Sequence, residues 1–342
     1  MIDTTIDDAP STAGSRCYAA LKTDAAADTP WLVTERVQIT HGELHDRIGR
    51  VGALLQKRGI TVGSRVVIAT SSDKEAAMLF IALICHGVTA VNLDADTGPE
   101  RAAALITKAK PVLTIADSDL VKHWSLTAMT APILEITGAA TPSGVLSRLL
   151  GKSPQSGLQA ELAAQDLVAP PTSVPAETIA YIMFTSGTTS QPKGVGISHR
   201  ALFAHLETLA KVYGYGPQSR ILNPLMLSHA DGMIQGPVMA FFTGATVYRP
   251  MDFQVAAVSA LLDAVYQLRI THMIAVPTML ALMLRLGHDQ RDSFQGGDFR
   301  YMISCGAQLE SALQTAFVDN YGVAVVNVYG LTETTGGRFR AH

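Results

Sequence analysis

The residues of this chain best suited to chemistry lie in one stretch, Phe184-Thr185-Ser186-Gly187-Thr188-Thr189-Ser190-Gln191-Pro192-Lys193-Gly194-Val195, directly behind the apolar run Ile179 to Phe184. A polyphosphate needs several short donors that converge on its oxygens and a cation that reaches a terminal phosphate. Thr185, Ser186, Thr188, Thr189 and Ser190 supply the hydroxyls, Gly187 and Gly194 allow the backbone to approach, and Lys193 supplies the charge. Pro192 blocks helical continuation. The stretch is therefore not a Walker A loop, which needs glycine directly before its lysine and a helix directly after it. A solvated Ser/Thr/Gly connector accounts for the same composition.

Thr185 to Gly194 also resembles the phosphate-binding loop of the adenylate-forming superfamily, which contains acyl-CoA synthetases, luciferases and nonribosomal-peptide adenylation domains; Ser190 stands where that family usually has glycine. Two later segments resemble the family in type and order. Ser304-Cys305-Gly306-Ala307-Gln308-Leu309 is similar to its small-residue segment at the adenine and substrate-carboxylate pocket, and Tyr329-Gly330-Leu331-Thr332-Glu333-Thr334 to its adenylate motif. The resemblance covers roughly Thr40 to the C-terminus. It implies ATP and Mg²⁺, with Lys193 on the β- and γ-phosphates, Gly306, Ala307, Tyr329 and Gly330 around the adenylate, Thr332 on a phosphate and Glu333 as the metal ligand. Mg²⁺ carried by ATP takes only one or two protein carboxylates. The plain readings are a solvated loop lysine for Lys193 and a surface charge for Glu333.

In Leu227-Ser228-His229-Ala230-Asp231-Gly232-Met233, His229 falls where the family places a histidine or aromatic residue that shapes the acyl pocket, and a core histidine bonded to a backbone group is the alternative. Asp231 resembles, in position, the aspartate with which amino-acid-activating members pair the substrate ammonium, whereas the His-x-x-Gly pattern around it looks like acyl-activating members. A desolvated carboxylate is costly, so Asp231 must face an amine, find a partner or stay wet. The candidate substrate pocket is His229, Asp231, Met233, Cys305 and Gly306, with Cys305 also readable as a small buried hydrophobe. Gly297-Asp298 precedes Cys305, whereas the family's ribose-binding Gly-Asp pair follows its adenylate motif, so this pair is expected in a loop.

These residues need a scaffold, and the pattern supplies an α/β one. Thr40-His41-Gly42-Glu43 has the spacing of a capping box, followed by Leu44, Ile48, Val51 and Leu55 at helical spacing. Strands are expected at Arg65–Thr70, Val88–Asn92 and Pro111–Ala116, alternating with helices at Asp73–His86 and Pro99–Lys108. Periodicity fades from Leu120 to Ala176, where a subdomain junction is expected. From Ile179 the alternation resumes, with strands near 220–226, 245–248, 271–276, 301–305 and 324–328 and helices at 199–212, 254–268, 278–286 and 309–320. The expected fold class is α/β: two layered αβα subdomains with mostly parallel sheets, at 16–175 and 176–342, after a disordered segment 1–15. The resemblance implies a later β-barrel and a mobile C-terminal domain, which are expected to be lacking here.

Bulk properties exclude other classes. The chain has 342 residues, 48% hydrophobic and 16% charged, with a formal net charge of −3, which offers no broad basic surface for nucleic acid. Cys17, Cys85 and Cys305 show no CxxC spacing, which fits a reducing cytoplasm. Met1 to Gly14 lacks the basic start and apolar stretch of a signal peptide, and the longest apolar run, Ala76 to Cys85, is too short for a membrane anchor.

Measured against the superfamily, the sequence ends nine residues after Glu333, before the ribose-binding aspartate, the hinge and the domain with the catalytic lysine. The expectation is the N-terminal portion of an AMP-forming ligase, impaired in turnover by itself. It would activate a carboxylic acid for transfer to the thiol of CoA or of a carrier protein's phosphopantetheine, with Lys193, Thr332 and Glu333 as its catalytic residues. The alternatives are an amino-acid or β-amino-acid adenylation enzyme that loads a carrier protein, and a nucleotide-binding module without turnover.

Overall fold

The computed structural model describes residues 27–126, 131–137, 157–185, 193–287, 289–330 and 338–340. Strand β1 (Pro30–Thr34) turns into β2 (Gln38–Thr40), and helix α1 (His41–Lys57) follows directly. The capping box is present: Glu43 N donates to Thr40 Oγ1 at 3.1 Å, and Thr40 N donates to the Glu43 carboxylate at 2.8 Å. Then come β3 (Arg65–Ala69), α2 (Asp73–Cys85), β4 (Thr89–Leu93), α3 (Pro99–Ala109), β5 (Leu113–Asp117), α4 (Ser118–His123), β6 (Ile133–Ile136) and α5 (Leu158–Ala163). A hairpin of β7 (Ile179–Thr185) and β8 (Lys193–Ser198) precedes α6 (His199–Tyr213) and β9 (Arg220–Leu222). Helix α7 (Ala230–Met233) runs through a π-helical turn at Ile234–Val238, which contains Pro237, into α8 (Met239–Thr243). The chain continues through β10 (Thr246–Arg249), α9 (Val258–Gln267), β11 (His272–Ala275), α10 (Pro277–Leu286), β12 (Tyr301–Ser304), α11 (Ser311–Tyr321), β13 (Val325–Tyr329) and β14 (Arg338–Arg340).

The strands form a six-stranded sheet, β6-β5-β3-β4-β7-β8, and an eight-stranded sheet, β14-β13-β12-β11-β9-β10-β1-β2. Most neighbours are parallel; β7–β8, β1–β2 and β13–β14 are antiparallel. One apolar cluster takes residues from α1, α2, α6 and α8 and from both sheets, among them Trp31, Leu44, Phe80, Leu206, Met239, Ile68 and Ile274. Separate clusters pack α3 on the outer face of the smaller sheet and α9, α10 and α11 on the outer face of the larger. The molecule is thus two αβα units that share their inner helices.

The sheets do not divide at residue 175. Strands β7 and β8 complete the first sheet, where Ala90 pairs with Tyr181, and β1 joins the second, where Leu32 pairs with Val247. Strand pairing is a long-range contact, which local periodicity does not record. Strand β6 also lies inside the stretch expected to be the junction. The segment 1–15 expected to be disordered lies outside the described residues.

Candidate functional site

The hydroxyl-rich stretch is carried by a hairpin. Thr185, the last residue of β7, is the Cα partner of Lys193, the first of β8. An antiparallel strand, and not a helix, follows the lysine, which agrees with the rejection of a Walker A loop. Gly194 has a packing reason: a Cβ there would stand 3.1 Å from the Phe184 ring. The Lys193 side chain is exposed. Ser186, Gly187, Thr188, Thr189 and Ser190 lie outside the described residues, and Thr185 is described by its backbone.

Because β7 is parallel to β4, its carboxyl end shares an edge of the sheet with Asn92 and Asp94. Phe184, Asn92, Asp94, Arg101 and His229 line one cleft of about 330 Å³ there. An adjoining cleft of about 660 Å³ runs across the carboxyl ends of β3, β4, β9, β10 and β11. Ligands of open α/β sheets bind at such ends.

The segment that follows β9 crosses this edge. Asn92 Nδ2 donates to Leu227 O at 3.0 Å and Ser228 Oγ to the Asp94 carboxylate at 3.1 Å. His229 is exposed and lines the smaller cleft, so it is not a core histidine. Asp231 finds a partner: Gln235 Nε2, one helical turn on, donates to Asp231 Oδ1 at 2.7 Å. Burial raises the Asp231 carboxyl above the usual carboxylate range, against hydrogen bonds from Gln235 and the Cys305 thiol and the charge of His229. Burial and the neighbouring Asp231 push the Cys305 thiol well up, so it is a poor nucleophile.

Asp231, Cys305 and Gly306 therefore meet. Gly306 has φ of 76°, and a Cβ on it would stand 3.7 Å from Asp231 Oδ2. Ala307 follows in an exposed bend. Of the candidate pocket residues only His229 lines a described cleft; Asp231, Cys305 and Gly306 line neither, and Met233 is fully buried in the shared core. Tyr329 ends β13, described by its backbone, and Gly330 beside it is exposed. Thr332 and Glu333 lie outside the described residues. Gly297 and Asp298 sit in a loop, as expected, and Asp298 there accepts from Nε and Nη2 of Arg269 at 2.8 and 2.9 Å.

Gln235 carries no motif, and its i,i+4 spacing from Asp231 is the one sequence signal that could have pointed to it. No group of three or more His, Cys, Asp or Glu able to hold a metal occurs among the described residues. A cation carried by ATP needs no such group, and its proposed ligand, Glu333, is not described. No described helix is long and apolar enough to cross a membrane.

The chain is 26% identical over 315 residues to the sulfoacetate–CoA ligase of Cupriavidus necator, covering 91% of this chain and 58% of that protein. It is 27% identical over 302 residues to the PKS-NRPS hybrid synthetase ATPKS of Aspergillus niger, covering 87% of this chain and 15% of that protein. The solved structure of the ATP-bound RpMatB-BxBclM chimera B3 superposes with a TM-score of 0.79 at 24% identity, over 95% of this chain and 61% of that one. This chain thus spans little more than half of the CoA ligase it matches. The model of the AMP-binding enzyme family matches residues 21–340, and the chain belongs to that family.

Proposed function

We propose that the chain binds MgATP and a carboxylic acid at the carboxyl edge of its sheets, and that the acid is activated there for transfer to a thiol of CoA or of a carrier protein. The carboxylate oxygen attacks the α-phosphorus, the bond from that phosphorus to the bridging oxygen breaks, and pyrophosphate leaves with an acyl-adenylate formed. Lys193 and the hydroxyls of Thr185, Ser186, Thr188, Thr189 and Ser190 would hold the departing phosphates, with Thr332 beside them; Glu333 would hold Mg²⁺, which supplies further charge neutralisation. Gly306, Ala307, Tyr329 and Gly330 would border the nucleotide, and His229 with Asp231 the acid.

The observation that supports the reading is where the strand leading into the hydroxyl stretch ends. Phe184, one residue before Thr185, lines the same cleft as His229, so the end of β7 and the candidate acid pocket share one edge. Calorimetric titration with MgATP, with Lys193→Ala as control, tests it. Saturable binding lost in the variant supports the reading, and equal binding by both removes Lys193 from the site.

A second reading, an acid that carries an amine, is favoured by one feature. Gln235 Oε1, on the amide that bonds the Asp231 carboxylate, is buried without a hydrogen-bond partner among the described residues. Two acceptors side by side suit a substrate donor such as ammonium.

A further inference from the structure

The arm that runs from the end of β9 into α7, residues 223–233, carries His229 and Asp231, yet it is not held by strand pairing. A frame of side chains holds it instead. Asn223, fully buried, bridges the two ends of the segment: its Nδ2 donates to Asp231 O at 2.8 Å, and its Oδ1 accepts from Leu225 N at 3.0 Å. Arg249, the last residue of β10 and almost fully buried, donates through Nη1 to Asn223 O and to Leu225 O at 2.5 and 2.7 Å. Its Nε donates to the Asp73 carboxylate at 2.6 Å, at the first turn of α2. The turn that results is tight, because a Cβ on Gly232 would stand 2.1 Å from Met226 O.

We propose that Asn223 and Arg249 are positioning residues for the acid subsite. Arg249 ties the start of the arm to β10 of the larger sheet and, through Asp73, to the helix packed on the smaller one. Asn223 transmits that anchor to the backbone of Asp231. The position of the Asp231 and His229 side chains is thereby set by both sheets together. A planar guanidinium with three donors engaged has no equivalent in lysine, whose ammonium cannot span two carbonyls and a carboxylate in that geometry. The inference rests on the reading that this arm borders the acid subsite.

The test compares wild type, Arg249→Lys and the milder Asp73→Asn, which keeps an acceptor for Nε, for binding of MgATP and, with a non-hydrolysable MgATP analogue present, of benzoate and L-aspartate. Hydrogen exchange over residues 223–233 is measured in the same proteins. The frame predicts acid affinity weakened about tenfold or more in Arg249→Lys, MgATP affinity within about twofold of wild type, and faster exchange confined to 223–233. Unchanged acid affinity with unchanged exchange overturns the frame. Acid and MgATP affinities that weaken in proportion overturn it too, since they mark a general loss of folding. A wild type that binds MgATP but neither acid overturns the acid reading itself, a result distinct from either.

Discussion

The Gln235 amide donates to Asp231 Oδ1 at 2.7 Å from one helical turn away, leaving Gln235 Oε1 buried and without a partner among the described residues. The Gln235 amide, with the Cys305 thiol and the charge of His229, offsets part of the cost of burying this carboxylate. Under the proposed function, Asp231 is the residue that would discriminate between substrate classes.

Replacing Asp231 with asparagine keeps the shape and removes the charge. For an amine-bearing acid such as L-aspartate, binding should weaken by about 10²-fold, because a paired charge is lost in a partly buried site. For benzoate the change should stay within about twofold. The pH dependence follows from the raised carboxyl pKa: an ammonium should bind more tightly as pH rises through that pKa and the carboxylate forms. Calorimetry at several pH values measures both effects, and equal losses for the two acids would remove Asp231 as the discriminator.

Acid should destabilise the fold through its histidines. His199 and His272 are fully buried, and burial lowers both, and His205, to about 4. His199 has no hydrogen-bond partner at either ring nitrogen among the described residues. A depressed histidine pKa means that the unfolded chain binds protons that the native state refuses, so stability falls as pH drops from about 6.5 toward 4. For His199 the loss is on the order of 3 kcal/mol by pH 4. His199→Phe should flatten the pH dependence of the urea midpoint, and an unchanged slope would contradict this origin.

Gly52 lies mid-helix in α1, where helix propensity alone gives Gly→Ala a gain of about 1 kcal/mol. Packing reverses the sign. A Cβ there would stand 2.2 Å from Cε1 of His86, whose Nε2 is held 2.9 Å from Ile48 O and cannot easily retreat. Gly52→Ala should therefore destabilise by about 2 kcal/mol in urea unfolding, and a stabilised variant would show that the ring yields.

Much of this was legible in sequence because its physics is local. The Thr40–Glu43 box, the amphipathic α1 and the βα alternation all depend on neighbours a few residues apart. Pro192 and the absence of glycine before Lys193 argued against a Walker A loop, and a strand, β8, begins at Lys193. What was not legible depends on distant partners. Strand β1 joins a sheet whose adjacent strand lies more than two hundred residues away, as in Leu32 with Val247. Met233 looked like a pocket residue by proximity to Asp231, but its helical phase points it into the shared core. Arg249 and Asn223 belong to no motif, and only the fold brings them to the arm that carries His229.

The central claim is that a nucleotide binds beside the β7–β8 hairpin, and the most direct measurement is calorimetric titration of the chain with MgATP alongside Lys193→Ala. The account predicts saturable one-to-one binding by the wild type that is weakened at least tenfold in the variant, the loss expected for a charge-assisted phosphate contact of about 1.5–3 kcal/mol. Binding of equal strength by the two proteins would contradict it.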